Sequence, residues 1–236
     1  MKIPVIEIFG PTMQGEGRAI GQKTMFVRTA GCDYRCHWCD SAFTWDGSEK
    51  DRIRLLDAEE IYDELKEIVG NNFQYVTISG GNPALIGKPM AEFIQLLRKD
   101  NIKVGIETQG SRWQDWFGFV DDLTISPKPP SSGMETDLII LDEIISRLPL
   151  DLLSLKVVVF DDNDFLFAKK IHKRYPDAEF FLSVGNPNPN ETGDIYPRLL
   201  KSLEWLWEKV IKDPEMNTVR ALPQLHALVW SNKREV

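Results

Sequence analysis

The chain has 236 residues, 42% of them hydrophobic and 27% charged, which is enough apolar material for a core and excludes a disordered chain. Its formal net charge of −8 argues against nonspecific nucleic-acid binding, which needs a basic face. The longest apolar runs, such as Leu155–Phe160, fall far short of the roughly 20 residues of a membrane helix, and the N-terminal run meets Gly10 and Pro11 too early for a signal-peptide core. A cytoplasmic protein with no membrane partner is expected, in a reducing setting that keeps thiols free.

In chain order, Thr24–Ala30 reads as a strand. Asp57–Val69 reads as a helix with an Asp N-cap, Glu60 in capping-box position and apolar residues at helical spacing. Tyr75–Ser79 is a strand, and Lys88–Asp100 a helix with Pro89 in its first turn. Lys103–Thr108 and Asp122–Ser126 are strands, followed by a helix from about Asp137 to Arg147. Leu153–Phe160 is a buried strand, Asn163–Tyr175 a helix, and Glu179–Val184 the sixth strand. Tyr196–Ile211 is a strongly amphipathic helix and Leu222–Trp230 a short last one. Six strands, most alternating with helices, predict a largely parallel α/β sheet, either open or a partial barrel. No repeat, low-complexity segment or linker divides the chain, so a single domain over 1–236 is expected.

The chemically pointed segments sit just after the strands. A cysteine loop follows the first, Ser79–Pro83 (SGGNP) the second, Glu107–Gly110 (ETQG) the third and Ser126–Pro130 (SPKPP) the fourth. Taken singly, SGGNP and SPKPP are as readily explained as turns. Taken together they would share the C-terminal rim of a parallel sheet, where active sites form.

All three cysteines, Cys32, Cys36 and Cys39, fall in the stretch Thr29–Ser41, TAGCDYRCHWCDS. A structural zinc site usually offers two thiol pairs, and the second pair is missing; only His37, His172 and His226 could complete one. A zinc-stabilised binding module remains the reading from a different class. Three thiolates on a four-iron cluster would instead leave one iron open to a small chelating molecule.

C-x3-C-x-aromatic-C, with Trp38 in the aromatic place, resembles the motif of the radical S-adenosylmethionine (SAM) superfamily. The resemblance implies a [4Fe-4S] cluster on Cys32, Cys36 and Cys39, with SAM on the open iron, and a partial, modified (β/α) barrel with a mostly parallel six-stranded sheet. Trp38, Gly81, Glu107, Ser126, Pro127 and Lys128 would hold SAM: Gly80 and Gly81 by close approach, Glu107 at the ribose and Lys128 at the carboxylate. Asn82 stands where the superfamily usually has an acid; its amide oxygen can still accept a hydrogen bond.

The segments Glu7–Gly17, Gly21–Cys32, CDS, ETQG, SPKPPSS and the final PQLH resemble one family closely, 7-carboxy-7-deazaguanine synthase. This implies a homodimeric radical SAM lyase that uses Mg²⁺. It would convert 6-carboxy-5,6,7,8-tetrahydropterin to 7-carboxy-7-deazaguanine with loss of ammonia, on the way to queuosine and other deazapurines. A one-electron donor such as flavodoxin or ferredoxin is implied as well.

By position, Met13, Gln14 and Gly15 would line the pterin, Arg28 would pair with its carboxylate, Ser79 would touch it, and Ser41 would ligate Mg²⁺. MQGEG without the resemblance reads as a hairpin turn. Asp40 is equally a cap or a metal neighbour, Ser183 and Asn186 are possible substrate contacts, and no acid or base is assigned, Glu16 being a candidate by location alone. Gln224 and His226 are expected near the pocket and the tail beyond them elsewhere or against a partner. A radical SAM activase acting on a partner protein is the nearest alternative.

Overall fold

The computed structural model describes residues 1–191 and 193–236. Among them nine strands form one sheet: β1 (Ile3–Met13), β2 (Lys23–Thr29), β3 (Arg54–Leu56), β4 (Tyr75–Gly80), β5 (Lys103–Thr108), β6 (Asp122–Ile125), β7 (Leu153–Val159), β8 (Glu179–Val184) and β9 (Arg220–Leu222). Their order is β3-β1-β2-β4-β5-β6-β7-β8-β9. β1 runs antiparallel to β2 and β3, and every pairing from β2 to β9 is parallel. β3 and β9 lie at opposite ends, so the sheet is open, a partial barrel.

The parallel strands are apolar because helices cover them; all seven residues of β7 are buried. α1 (Ala58–Val69), α2 (Lys88–Lys99), α3 (Leu138–Ser146), α4 (Asp162–Arg174), α5 (Tyr196–Lys212) and α6 (Leu225–Trp230) follow in order. α1 starts at the expected capping box: Glu60 N donates to Asp57 Oδ1 at 3.0 Å and Asp57 N to Glu60 Oε2 at 2.7 Å. It buries Ile61 and Leu65, one turn apart. Asp137 and Asp161 cap α3 and α4 with their side chains alone, accepting from the backbone N–H groups two and three residues on. The main core holds the fully buried Phe93, Phe117 and Phe180.

All six expected strands are present, and three more were not legible. β1 carries Pro4, Gly10 and Pro11, which read as breakers; a register shift between Phe9 and Thr12 accommodates the latter two against β2. β3 and β9 span three residues each at the sheet edges, too short to show alternation. Thr24–Ala30 therefore marks the second strand, not the first.

Candidate active site

Each of the seven parallel strands delivers residues to one rim. Beyond β2 lie the cysteines; β4 ends in Ser79 and Gly80, and β5 in Glu107 and Thr108. Ser126 and Lys128 follow β6, Phe160 follows β7, Gly185 and Asn186 follow β8, and Gln224 follows β9. All of them line a cavity of about 170 Å³. A second space of about 180 Å³ adjoins it and shares Glu16, Asp40, Ser41, Ser79, Glu107 and Gln224, so the two are halves of one site joined at a neck.

The first half belongs to the thiols. All three cysteines are free, and two of them receive N–H donors: Trp45 Nε1 to Cys39 Sγ at 3.4 Å, Tyr34 N and Gln109 Nε2 to Cys32 Sγ at 3.4 and 3.6 Å. Burial pushes the Cys36 thiol up to about 11, with the Lys128 ammonium working against it. Trp38 packs against Phe160 with ring centroids 4.9 Å apart, and its Nε1 donates to Ser131 Oγ at 3.0 Å. Lys128 Nζ donates to Ser126 Oγ at 3.0 Å. Pro127 is buried between them, outside the lining.

The glycines are needed for backbone packing. A Cβ on Gly81 would lie 1.9 Å from Gly31 O, and Gly80, at φ +116°, sits against Thr29. The SGGNP turn is thus pressed onto the root of the cysteine loop, fixed by Gly81 N to Thr29 O at 2.9 Å and Asn82 N to Gly31 O at 2.8 Å. Asn82 is wholly buried outside the cavity lining. Its amide nitrogen donates to Asp33 and Ser111 at 2.9 Å each, and its oxygen accepts from Thr108 at 2.8 Å and Ala84 N at 3.1 Å. The amide oxygen read as an available acceptor is therefore already taken by the fold.

The second half is polar and aromatic. MQGEG is indeed a hairpin connection, closed by Gln14 N to Gln22 O and Gly21 N to Gln14 O, both 2.8 Å, and its Met13, Gln14, Gly15 and Glu16 also line the cavity. The turn and a place on the cavity wall are therefore compatible in that segment. Arg28 lines the same half, its Nε 3.1 Å from the buried Glu7 carboxylate and its guanidinium over Phe9 and Phe43. Ser41 Oγ donates to Asp40 Oδ1 at 3.1 Å at the neck. Ser183 is buried outside the lining, whereas Asn186 lines both halves. Gln224 and His226 are at the pocket as expected.

The tail is not elsewhere, and that expectation is corrected. Residues 231–236 line the second half. Arg234 pairs with Glu7 and Glu49, and Glu235 with Arg52 at 2.8 Å.

At the neck, Lys156 Nζ bonds Glu16 and lies 3.7 Å from Glu107, while Gln14 Nε2 donates to Glu107 at 3.2 Å and Gln224 Nε2 to Glu16. Burial would raise the Glu16 carboxyl; the Lys156 and His226 charges and the hydrogen bonds from Lys156 and Gln224 outweigh it and hold the group at about 2. Glu107, expected at the SAM ribose, faces both halves. Sequence reasoning missed Lys156, Phe160, Gly185 and the tail. The signal for Lys156 was a lone charge inside an otherwise apolar strand.

The Radical SAM superfamily profile matches residues 26–125. A crystal structure of QueE from Escherichia coli shares the fold, with a TM-score of 0.70 at 21% identity over 96% of this chain and 95% of that one. With the thiol loop on the rim of a part-barrel, the chain is a radical SAM protein. The 7-carboxy-7-deazaguanine synthase of Bacillus cereus is 58% identical over 100% of this chain and 99% of its own, and that of Bacillus subtilis 59% over 99% and 98%. The chain belongs to the 7-carboxy-7-deazaguanine synthase family.

The residues present fit the cluster that family membership implies. Three free thiols line one end of the cavity beside Lys128, and a cluster takes each thiolate on a different iron. His37 is turned to Gly133 and His172 bonds Thr218 at 3.2 Å, so neither completes a zinc site with the thiols.

Proposed function

We propose that the chain converts 6-carboxy-5,6,7,8-tetrahydropterin to 7-carboxy-7-deazaguanine with loss of ammonia, as a carbon–nitrogen lyase acting within one domain over 1–236. The observation that carries this reading is the two-ended cavity: thiols at one end, a polar pocket with Arg28 at the other, meeting at a neck. Relatives of that name, matched over nearly their whole length, support the substrate.

The cluster with SAM would supply, when bound, radical chemistry for abstracting a hydrogen from the substrate. Cys32, Cys36 and Cys39 would hold the cluster. Lys128 would face the SAM carboxylate, Trp38 and Phe160 would wall the adenine side, and the Gly81 turn would keep the backbone close. Met13, Gln14, Gly15 and Ser79 would border the pterin, with the Gln14 amide reading its edge, and Arg28 would meet its carboxylate. Enclosure by the tail would exclude water from the reacting centre.

Ser41 with Asp40 offers oxygen donors suited to Mg²⁺, which keeps waters and needs few protein ligands. A flavodoxin or ferredoxin is the proposed reductant, and the cytoplasm the proposed setting. Among the described residues no helix is long and apolar enough to cross a membrane. Dimerisation through α5 is supported by Tyr196, Leu200, Trp207 and Ile211, exposed along one face at helical spacing. Sedimentation equilibrium of Trp207→Glu beside the wild type checks that face, which predicts a monomer for the variant.

The test is anaerobic reconstitution followed by SAM, reductant and Mg²⁺ with 6-carboxytetrahydropterin, read by mass spectrometry. Deazaguanine over many turnovers without matching loss of SAM is expected. Cleaved SAM without deazapurine would overturn the substrate, and zinc without iron would overturn the class.

A further inference from the structure

Every residue of β7 is buried, and six of the seven are Leu, Ser or Val; the seventh is Lys156. A buried ion pair is rarely more stable than an apolar residue of similar size, so packing does not call for a lysine here. Its ammonium faces two carboxylates from different elements, Glu16 from the β1–β2 connection and Glu107 from β5. Each carboxylate also accepts from one glutamine amide, Gln224 at the start of α6 and Gln14 beside β1. Lys156 is thus the hub of a polar network drawn from four parts of the chain, and the network lies at the neck between the two halves of the cavity. The second oxygen of Glu107 has no hydrogen-bond partner among the described residues and remains an acceptor on the cavity side. Two carboxylates against one ammonium leave a negative surplus at the neck, which suits a ligand edge built of N–H donors.

We infer that Lys156 is a positioning residue: it holds Glu16 and Glu107 as fixed acceptors at the neck, so that a pterin's N–H edge is held in register with the site of hydrogen abstraction. The inference rests on the substrate proposed above. It differs from a structural role in what it predicts, because a pterin held loosely at the neck would be misaligned with the abstracting radical even in a folded enzyme. SAM would then be consumed without product.

Two readouts test it on the reconstituted enzyme and on the protein without cluster. The first is 5′-deoxyadenosine released per deazaguanine formed; Lys156→Met should raise this ratio tenfold or more, and Lys156→Arg should return it to within about threefold of wild type. The second is the Kd of 6-carboxypterin, read by fluorescence without cluster or SAM, which should weaken about tenfold in Lys156→Met and recover in the arginine variant. Should Lys156→Met fail to fold because two carboxylates are left unpaired, the double variant Glu16→Gln/Lys156→Met removes one of those charges and should show the same raised ratio. A wild-type ratio and Kd in either folded variant would overturn the inference, as would product and deoxyadenosine falling in proportion. If the wild type itself makes no deazaguanine and binds no 6-carboxypterin, the proposed substrate fails instead.

Discussion

At the scale of single residues, Gly81 is fixed by a contact no side chain can share. Its missing Cβ would stand 1.9 Å from Gly31 O, and both neighbours are tied by backbone hydrogen bonds. Gly81→Ala is expected to cost about 3 kcal/mol and to lower iron bound per chain after reconstitution, measured by thermal unfolding and iron analysis. Glu16 makes a prediction in pH. Its folded value, about 2, lies below the ordinary 4.5, so its contribution to stability is complete above about 4.5 and is lost as pH falls towards 2. Urea unfolding across that window should show a shallower loss for Glu16→Gln than for wild type; equal slopes would mean that Glu16 is not held by Lys156.

At the scale of elements, α4 reaches back to the thiol end of the site. Asp164, wholly buried in its first turn, accepts from Ser131 N and Phe160 N at 3.0 Å each. Ser131 in turn accepts from Trp38, and Phe160 packs against that indole at a tilt. Asp164→Ala would leave two buried donors without partners, a loss of roughly 2–4 kcal/mol. Denaturation should show that loss, and the SAM KM should rise with it if Trp38 and Phe160 wall the adenine as proposed, because both are loosened. The local parts of these elements were legible: Asp57 with Glu60, Asp137 and Asp161 are caps whose partners lie within three residues. Nothing near Asp164 in sequence announces Ser131, which is 33 residues away.

At the scale of the whole molecule, the C-terminal segment lines the half of the cavity proposed for the substrate. Arg234 meets Glu7 across 227 positions of sequence and lies 3.5 Å from the centre of the Phe43 ring. Removing Lys233–Val236 should open that half and raise the pterin KM about tenfold, equivalent to about 1.4 kcal/mol, with little change in the melting temperature. Added salt should act in the same direction on the intact chain, since the Arg52–Glu235 and Arg234–Glu49 pairs are partly exposed and screened. A truncated chain with wild-type KM would show that the tail does not cover bound substrate.

The sequence alone determined whatever depends on neighbours along the chain. The thiol spacing within Cys32–Cys39, the helix caps, the glycine turn after β4 and the apolar runs of the parallel strands act over a few residues, and together they imply the rim that collects the motifs. The tertiary structure decided what depends on distant segments meeting. It turned Asn82 inward to the fold, brought Lys156 between Glu16 and Glu107, and laid the tail along the pocket. Such contacts arise from long-range packing of groups that each find one partner, so no local pattern records them. Only the charge inside β7 hinted that one was there.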